Sequence, residues 1–245
     1  MNRILKISLA YDGTRFVGWQ KQASGESIQG LLESALSQLE GAPVVAHGAG
    51  RTDAGVHAEG QVASAAVTFA HDSSVVLRAL NGVLPDDIRV IAVEDAPPGF
   101  HARFSARGKM YRYQIDNRPV ADPFMRSYAW HISQPLDLDA MRGAAATLVG
   151  THDFAGFQST GSDVTTSVRT IARSEVDRRD NLMVYEVEAD GFLRHMVRAI
   201  VGTLVEIGRG WRPVEGVAAV LERKSRAEAG ATAPAHGLTL VKVEY

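Results

Sequence analysis

Cysteine is missing from all 245 residues of the chain. Its absence excludes disulfide bonds, metal sites built on thiolates and a cysteine nucleophile. No uninterrupted apolar run approaches the length of about 18 residues that a membrane span needs. The first residues alternate like a strand and do not form the apolar core of a secretory signal. With 45% apolar and 22% charged residues, the composition is typical of a soluble globular protein, and we expect it in the cytoplasm.

The chain also lacks a strong excess of charge, because its formal net charge is −2. This argues against nucleic-acid binding by bulk charge, although local clusters matter more. Residues 101–113 contain four basic and no acidic residues, 192–213 contain four arginines and one glutamate, and 223–226 contain three basic residues. Aromatic residues are mixed into these stretches: Phe104, Tyr111, Tyr113, Phe192 and Trp211. The clusters are either solvated faces of helices and strands or a surface on which RNA bases stack and phosphates meet arginines.

Hydrophobic periodicity predicts alternating strands and helices. Residues 4–11 place Leu5, Ile7 and Leu9 on one face, as in a half-buried strand. Ser27 is expected to cap a helix whose apolar residues follow a 3.6-residue period until Gly41. Further strands are predicted at 61–69, 88–93, 110–116, 170–176, 182–189 and 238–244, and further helices at 74–83, after Asp137, from 196 to Gly208 and at 213–221.

The order of these elements divides the chain into two halves, each close to β-α-β-β-α-β, which predicts an α+β fold. The run Pro97-Pro98-Gly99 interrupts the pattern, so we expect an N-terminal α+β domain at 1–105 and a C-terminal one at 106–245. Residues 159–166 are polar and small and are predicted to form a loop. Residues 224–235 are rich in alanine and are predicted to connect the last helix to the last strand.

The most informative segment is GAGRTDAGVHAEG, at residues 48–60. It places Asp53 two residues after Arg51, among four glycines. Glycine permits turns with positive φ and the close approach of another chain. Such a loop can keep a reactive carboxylate ionised, oriented by the neighbouring cation and open to substrate. The alternative is an ordinary surface turn in which Asp53 caps the following segment.

This segment resembles the catalytic motif of the TruA family of tRNA pseudouridine synthases. Six further segments resemble blocks of that family, in the same order: YDGTRFVGWQKQ (11–22), SIQGLLESAL (27–36), FHARFSARGKMYRYQI (100–115), GTHDFAGF (150–157), FLRHMVRAIVG (192–202) and HGLTLVKVEY (236–245). Because they cover both ends and the middle, the resemblance extends over the whole chain.

The resemblance implies an isomerase that converts uridine to pseudouridine at position 38, 39 or 40 in the anticodon arm of tRNA. It implies two ferredoxin-like (RRM-like) halves that form a joined antiparallel sheet with flanking helices, and a homodimer that binds tRNA. The reaction breaks the N1–C1′ bond, rotates the uracil and rejoins it through C5. No redox step occurs, so no cofactor is required, and the chain shows neither a phosphate loop nor a dinucleotide fingerprint.

The resemblance also implies roles for five residues. Asp53 is the nucleophile or the base, depending on whether it attacks C1′ or removes the C2′ proton. Arg198 forms an ion pair with Asp53, and Tyr111 packs on the target base and could transfer a proton. Arg51 enters the space that the flipped base leaves, and Leu238 contacts the uracil. From the residues alone, Arg198 could instead extend from a helix end into solvent, while Tyr111 and Leu238 could be core residues.

Three other functions are compatible with parts of the chain. A metal hydrolase could use His47, Asp53 and His57, although their spacing matches no helical metal motif and no third ligand follows from the sequence; we expect no metal. A glycosidase normally needs two carboxylates, for which Asp12 and Glu59 are candidates. A non-catalytic RNA-binding module would explain the basic and aromatic residues but not the loop around Asp53.

Overall fold

The computed structural model describes residues 3–161 and 165–245. In this part of the chain ten β-strands, mostly antiparallel, accompany five α-helices. They are β1 (Arg3–Tyr11), α1 (Ile28–Glu40), β2 (Ala46–Gly48), β3 (His57–Val67), α2 (Ser73–Val83), β4 (Ile88–Ala96), β5 (Gly108–Asp116), β6 (Trp130–His131), α3 (Leu138–Ala146), β7 (Gly150–Asp153), β8 (Val168–Arg179), β9 (Leu182–Ala189), α4 (Met196–Gly208), α5 (Gly216–Arg223) and β10 (Leu238–Glu244). The predicted α+β fold is confirmed. Among the helices described, none is both long enough and apolar enough to cross a membrane.

The chain forms two compact units. The first consists of Met1–Arg107 together with Leu240–Tyr245, and the second of Gly108–Thr239. Compared with the expected division at 105/106, this grouping differs mainly in assigning the last six residues to the first unit. The two functional domains therefore stay a prediction, and each unit is described by itself.

In the first unit, β1 is the central strand, paired antiparallel with both β3 and β4. Its residues Leu5, Ile7 and Leu9 are fully buried, as their alternation predicts. Helix α1 begins where expected, because the Ser27 hydroxyl accepts a hydrogen bond from the Gly30 N–H at 3.2 Å. It ends at Gly41, whose φ of 73° is a left-handed conformation that glycine adopts without strain.

In the second unit, β9 pairs antiparallel with β5 on one side and β8 on the other, and β7 extends the order beyond β8. Tyr113 of β5 and Tyr185 of β9 face each other in this register and are buried. Helix α4 is buried along nearly its whole length. Such a helix contributes most of its surface to the core, which accounts for its almost continuous apolar sequence.

The segment after α5 is more ordered than a simple connector. It contains two 3₁₀ turns, Arg226–Glu228 and Ala235–Gly237. Between them the backbone lies against α4: the Gly230 N–H donates to the Thr203 hydroxyl at 2.8 Å, and a side chain at Gly202 would overlap the carbonyl of Ala231.

Helix α5 starts later in the chain than its sequence predicts. Helix α5 begins at Gly216 and not at Pro213, because residues 213–216 form a turn closed by a 2.9 Å bond from the Gly216 N–H to the Pro213 carbonyl. The loop predicted at 159–166 includes residues 162–164, which lie outside the described residues.

Candidate active site

Arg51 and Asp53 lie in the connection between two neighbouring strands of the first unit. Strands β2 and β3 pair antiparallel, and the Ala49 N–H extends this pairing by donating to the Val62 carbonyl at 2.7 Å. The connection then turns back at Asp53, whose carbonyl accepts a hydrogen bond from the Val56 N–H at 3.1 Å. Asp53 is half-buried and Arg51 is exposed. The two charged residues therefore share one tight loop, as the sequence suggests.

The backbone of two glycines outside the motif holds this loop in place. At Gly13, an added Cβ would overlap the carbonyl of Val56, and at Gly18 it would lie 2.6 Å from the carbonyl oxygen of Thr52. Gly18 also has a φ of 102°, which L-residues rarely adopt. Beside it, the Trp19 N–H donates to the same Thr52 carbonyl at 3.0 Å. Contacts this close require glycine at both positions. The backbone of residues 13–19 therefore packs directly against the candidate catalytic loop.

A buried polar network lies beneath the loop. The hydroxyl of Tyr11 is 2.8 Å from the hydroxyl of Thr52, and the Gln61 amide donates to the Gly50 carbonyl at 3.0 Å and to the Tyr11 oxygen at 3.3 Å. Burial is the main cause that raises the pKa of Tyr11 to about 12. The phenol consequently keeps its proton at neutral pH and can donate it to the network.

The histidines near the loop have structural contacts. The Nδ1 atom of His57 accepts a hydrogen bond from the Gly13 N–H at 3.0 Å, and the ring is buried. The ring of His47 stacks on that of His101, with the centroids 4.8 Å apart. Within residues 3–161 and 165–245, no group of three or more potential ligands could hold a metal ion.

In the second unit, Tyr111 and Leu238 occupy largely buried positions. Tyr111 lies on β5, and its ring meets Phe192 edge-on, with the centroids 5.0 Å apart and an interplanar angle of 85°. Leu238 is the first residue of β10, directly after a 3₁₀ turn. A side chain at the preceding Gly237 would lie 2.6 Å from the ring of Tyr113. Both positions fit a packing role, and substrate contact by either residue stays a prediction.

Arg198 lies in the first turn of α4 and is attached to the segment that covers this helix. Its Nε donates to the Ala233 carbonyl at 2.7 Å, while the Ala233 N–H donates to the Arg198 carbonyl at 3.1 Å. The helix begins after His195, which has an unusual φ of 60° and an Nδ1 atom 2.9 Å from the Ser159 hydroxyl. A positive φ at a non-glycine residue is often found at functional sites. The arginine side chain is therefore held by the backbone of Ala233.

Sequence reasoning missed the residues that support these positions. Gly13, Gly18 and Trp19 belong to the segment YDGTRFVGWQKQ, and His195 belongs to FLRHMVRAIVG. Both segments stand out only through the family resemblance, because contacts between distant parts of the chain leave no periodic signal. Ala233 has no signal at all, since it acts through its backbone.

Comparison with known proteins gives a consistent result. The family model described as tRNA pseudouridine synthase matches residues 7–105 and 144–245. The tRNA pseudouridine synthase A of Moorella thermoacetica is 48% identical, over 98% of this chain and 99% of that protein. Those of Myxococcus xanthus (46% identical, over 98% and 91%) and Acetivibrio thermocellus (43% identical, over 99% and 100%) are also similar. A matching family model over most of the chain and full-length relatives at this identity establish that the chain belongs to the tRNA pseudouridine synthase family.

Proposed function

We propose that the enzyme converts uridine to pseudouridine at position 38, 39 or 40 in the anticodon arm of tRNA, and that Asp53 carries the chemistry. The observation that carries this proposal is the loop of Asp53, whose backbone is packed against Gly13 and Gly18 while Asp53 itself is only half-buried. A carboxylate held by a rigid backbone is preorganised for attack on a bound nucleotide.

The isomerisation needs one carboxylate and no external reactant. The N1–C1′ bond breaks, the uracil rotates, and a C5–C1′ bond forms; the proton on C5 is released and N1 gains one, so substrate and product are isomers. Asp53 starts the reaction by attacking C1′ or by removing the C2′ proton. No second carboxylate is required, in contrast to a glycosidase, because the detached base never leaves the enzyme.

Four other residues serve the same reaction in this proposal. Arg198 holds the Asp53 carboxylate, and Tyr111 packs on the target base and transfers a proton. Arg51, exposed two residues before Asp53, fills the space that the base leaves when it flips out. Leu238 contacts the uracil through its side chain. These roles rest on the family resemblance.

The substrate is recognised mainly by shape and phosphate contacts. Modification at three adjacent positions is incompatible with strict reading of base edges, and RNA stems are bound largely through shape and backbone. A subunit of 26.4 kDa is too small to hold both the anticodon arm and the body of one tRNA, so we propose a homodimer in which one tRNA contacts both subunits. The enzyme would act in the cytoplasm, where tRNA is available.

The test uses tRNA transcripts labelled with tritium at C5 of uridine. Wild-type enzyme should release tritium, and transcripts with cytidine at 38, 39 and 40 should release none. Asp53→Asn should be inactive to the assay limit yet bind tRNA about as tightly, because phosphate contacts depend on Arg and Lys. The control is Glu59→Gln, which removes an exposed carboxylate from the same motif and should keep activity. Turnover by Asp53→Asn would refute the assignment of the residue; release from the cytidine transcript would refute the positions.

A further inference from the structure

Three aromatic rings form a stack at the surface of the first unit. His47, on β2, stacks on His101 with the ring centroids 4.8 Å apart and the planes 27° apart. His101 in turn contacts Phe104, with the centroids 4.4 Å apart and the planes 36° apart. Phe104 is the outermost of the three, and it is 77% exposed. A large apolar ring at the end of a stack thus faces solvent.

The turn that carries Phe104 is held rigidly. The Ser105 N–H donates to the His101 carbonyl at 2.9 Å, and the His101 N–H donates to the Ser105 hydroxyl at 3.1 Å. Between them, Ala102 is fully buried. Its N–H donates to the Ser64 hydroxyl at 3.0 Å, and its carbonyl accepts from the Tyr245 hydroxyl at 2.8 Å. The exposed ring is therefore carried by an anchored turn. Because the turn is already fixed, little conformational entropy is lost when a partner binds to the ring.

The surroundings of the stack are cationic, while the central ring is neutral. The Nδ1 atom of His101 accepts a hydrogen bond from the Arg103 N–H at 3.1 Å, so this nitrogen carries no proton. Burial, followed by the neighbouring His47, lowers the pKa of His101 below its usual range. The guanidinium of Arg103 lies 5.6 Å from the centroid of the Phe104 ring. A neutral aromatic surface next to the positive charge of Arg103 matches the two parts of a nucleotide, its base and its phosphate.

We propose that Phe104 is a stacking platform for an unpaired base of the tRNA substrate, with Arg103 attracting the adjacent phosphate. The proposal rests on the proposed function, because it assumes that the bound macromolecule is tRNA. RNA is favoured over a protein partner because residues 101–113 carry four basic and no acidic residues. An exposed ring flanked by cations is the arrangement by which proteins bind single-stranded nucleic acid without reading its sequence.

The test compares three substitutions at Phe104 for tRNA affinity, measured by filter binding at fixed salt. Phe104→Ala should weaken binding about 5- to 150-fold, the range that loss of one base–aromatic stack produces. Phe104→Leu should lose as much, since it keeps an apolar side chain but no ring, whereas Phe104→Tyr should bind nearly as wild type. The control is Phe124→Ala, which removes a phenylalanine that is 85% exposed in the second unit and should leave affinity unchanged.

Three results would overturn the platform. The first is wild-type affinity and wild-type sedimentation mass in Phe104→Ala. The second is full affinity in Phe104→Leu, which would show apolar packing and not stacking. The third is a change in the sedimentation mass of Phe104→Ala with unchanged tRNA binding. This result would show that the ring contacts another protein chain and not tRNA. Tritium release by the wild-type enzyme is measured in the same preparations. If the wild-type enzyme releases tritium and any of these three results is obtained, the platform is refuted and the proposed function stands. If the wild-type enzyme releases no tritium, the proposed function is refuted.

Discussion

The hydroxyl of Tyr11 lies 2.8 Å from the hydroxyl of Thr52, the residue directly before Asp53. Tyr11 is the last residue of β1, so this contact connects the central strand of the first unit to the candidate catalytic loop. Both side chains are buried, and the fully buried Gln61 completes the network. The position of Asp53 is therefore coupled to the core of the unit through the contact between Tyr11 and Thr52.

Tyr11→Phe should reduce both stability and turnover. It leaves the buried Thr52 hydroxyl without its partner, which costs about 1–3 kcal/mol of unfolding free energy. Because the loop loses an anchor, kcat should fall while KM for tRNA changes little. Urea unfolding and tritium release measure the two effects. Tyr185→Phe is the matched control: it removes a buried hydroxyl 3.0 Å from that of Ser174 in the second unit and should lower stability without lowering kcat. Equal turnover losses in the two variants would contradict a positioning role for Tyr11.

Gly18→Ala should displace the candidate catalytic loop, because Gly18 packs against its backbone. The new Cβ would lie 2.6 Å from the Thr52 carbonyl oxygen, at a φ of 102°. Backbone strain of this kind costs on the order of 1–3 kcal/mol, and displacement of the loop should lower kcat about 100-fold. Gly82→Ala provides the opposite control, because Gly82 lies in α2 with no atom within 4 Å of an added Cβ. It should raise stability by up to about 1 kcal/mol. Wild-type kcat in Gly18→Ala would show that the close backbone contact is dispensable.

Local sequence patterns predicted the regular elements well and the supporting contacts poorly. The cap at Ser27, the end of α1 at Gly41 and the alternation in β1 are properties of neighbouring residues, and each is confirmed. The packing of Gly18 on Thr52 joins residues more than thirty positions apart, so no period reports it. The short strands β2 and β7 have three and four residues, which is too few for alternation to distinguish them from loops.

The same limit applies to the candidate site. The glycines around Asp53 predicted an unusual loop, and the structure shows one. The connector over α4 was expected only as a link, because its contacts with Arg198 and Thr203 depend largely on backbone groups that carry no sequence signature. The roles of Asp53, Tyr111 and Arg198 came from resemblance, and they stay predictions until the variants are measured.

A buried carboxylate in the second unit should make stability depend on pH. Glu186, on β9, forms ion pairs with Arg112 of β5 and with Arg173 and Arg179 of β8, at distances of 2.7–3.1 Å. The hydrogen bonds from Arg179, followed by those from Arg112, lower the pKa of Glu186 to about 2. Since this value lies below that of the unfolded chain, the stabilisation is complete above about pH 4.5 and is lost as the pH falls towards 2.

Glu186→Gln should therefore cost stability at neutral pH and less in acid. Its arginine partners are partly exposed, so the expected loss at pH 7 is about 2 kcal/mol, below that of a fully buried pair. Urea unfolding of wild type and variant at pH 7, 4 and 3 should show the difference shrinking with acidity. Glu222→Gln, at an exposed position of α5, should show almost no difference at any pH. A constant loss from pH 7 to 3 would mean that packing, and not charge, stabilises this part of the sheet.

The proposed partnership of Arg198 and Asp53 can be measured as an energetic coupling. Arg198→Ala removes the 2.7 Å bond from Nε to the Ala233 carbonyl, which should cost about 1.5–3 kcal/mol of stability. Arg198→Lys keeps the charge but lacks the planar guanidinium, so it should restore little activity. Tritium release should be lost in Arg198→Ala, and tRNA affinity should change less than turnover.

A double-mutant cycle separates anchoring of the connector from pairing with the carboxylate. If Arg198 holds Asp53, the free energies of unfolding of Asp53→Asn and Arg198→Ala should not add, and the double variant should differ from their sum by about 1 kcal/mol or more. Anchoring to Ala233 does not involve Asp53 and would leave the two changes additive. Arg194→Ala, an exposed arginine four residues earlier, serves as the control and should add to Asp53→Asn within about 0.5 kcal/mol. Additivity for Arg198 as well would restrict that residue to a structural role, because an ion pair cannot lose one partner without changing the contribution of the other.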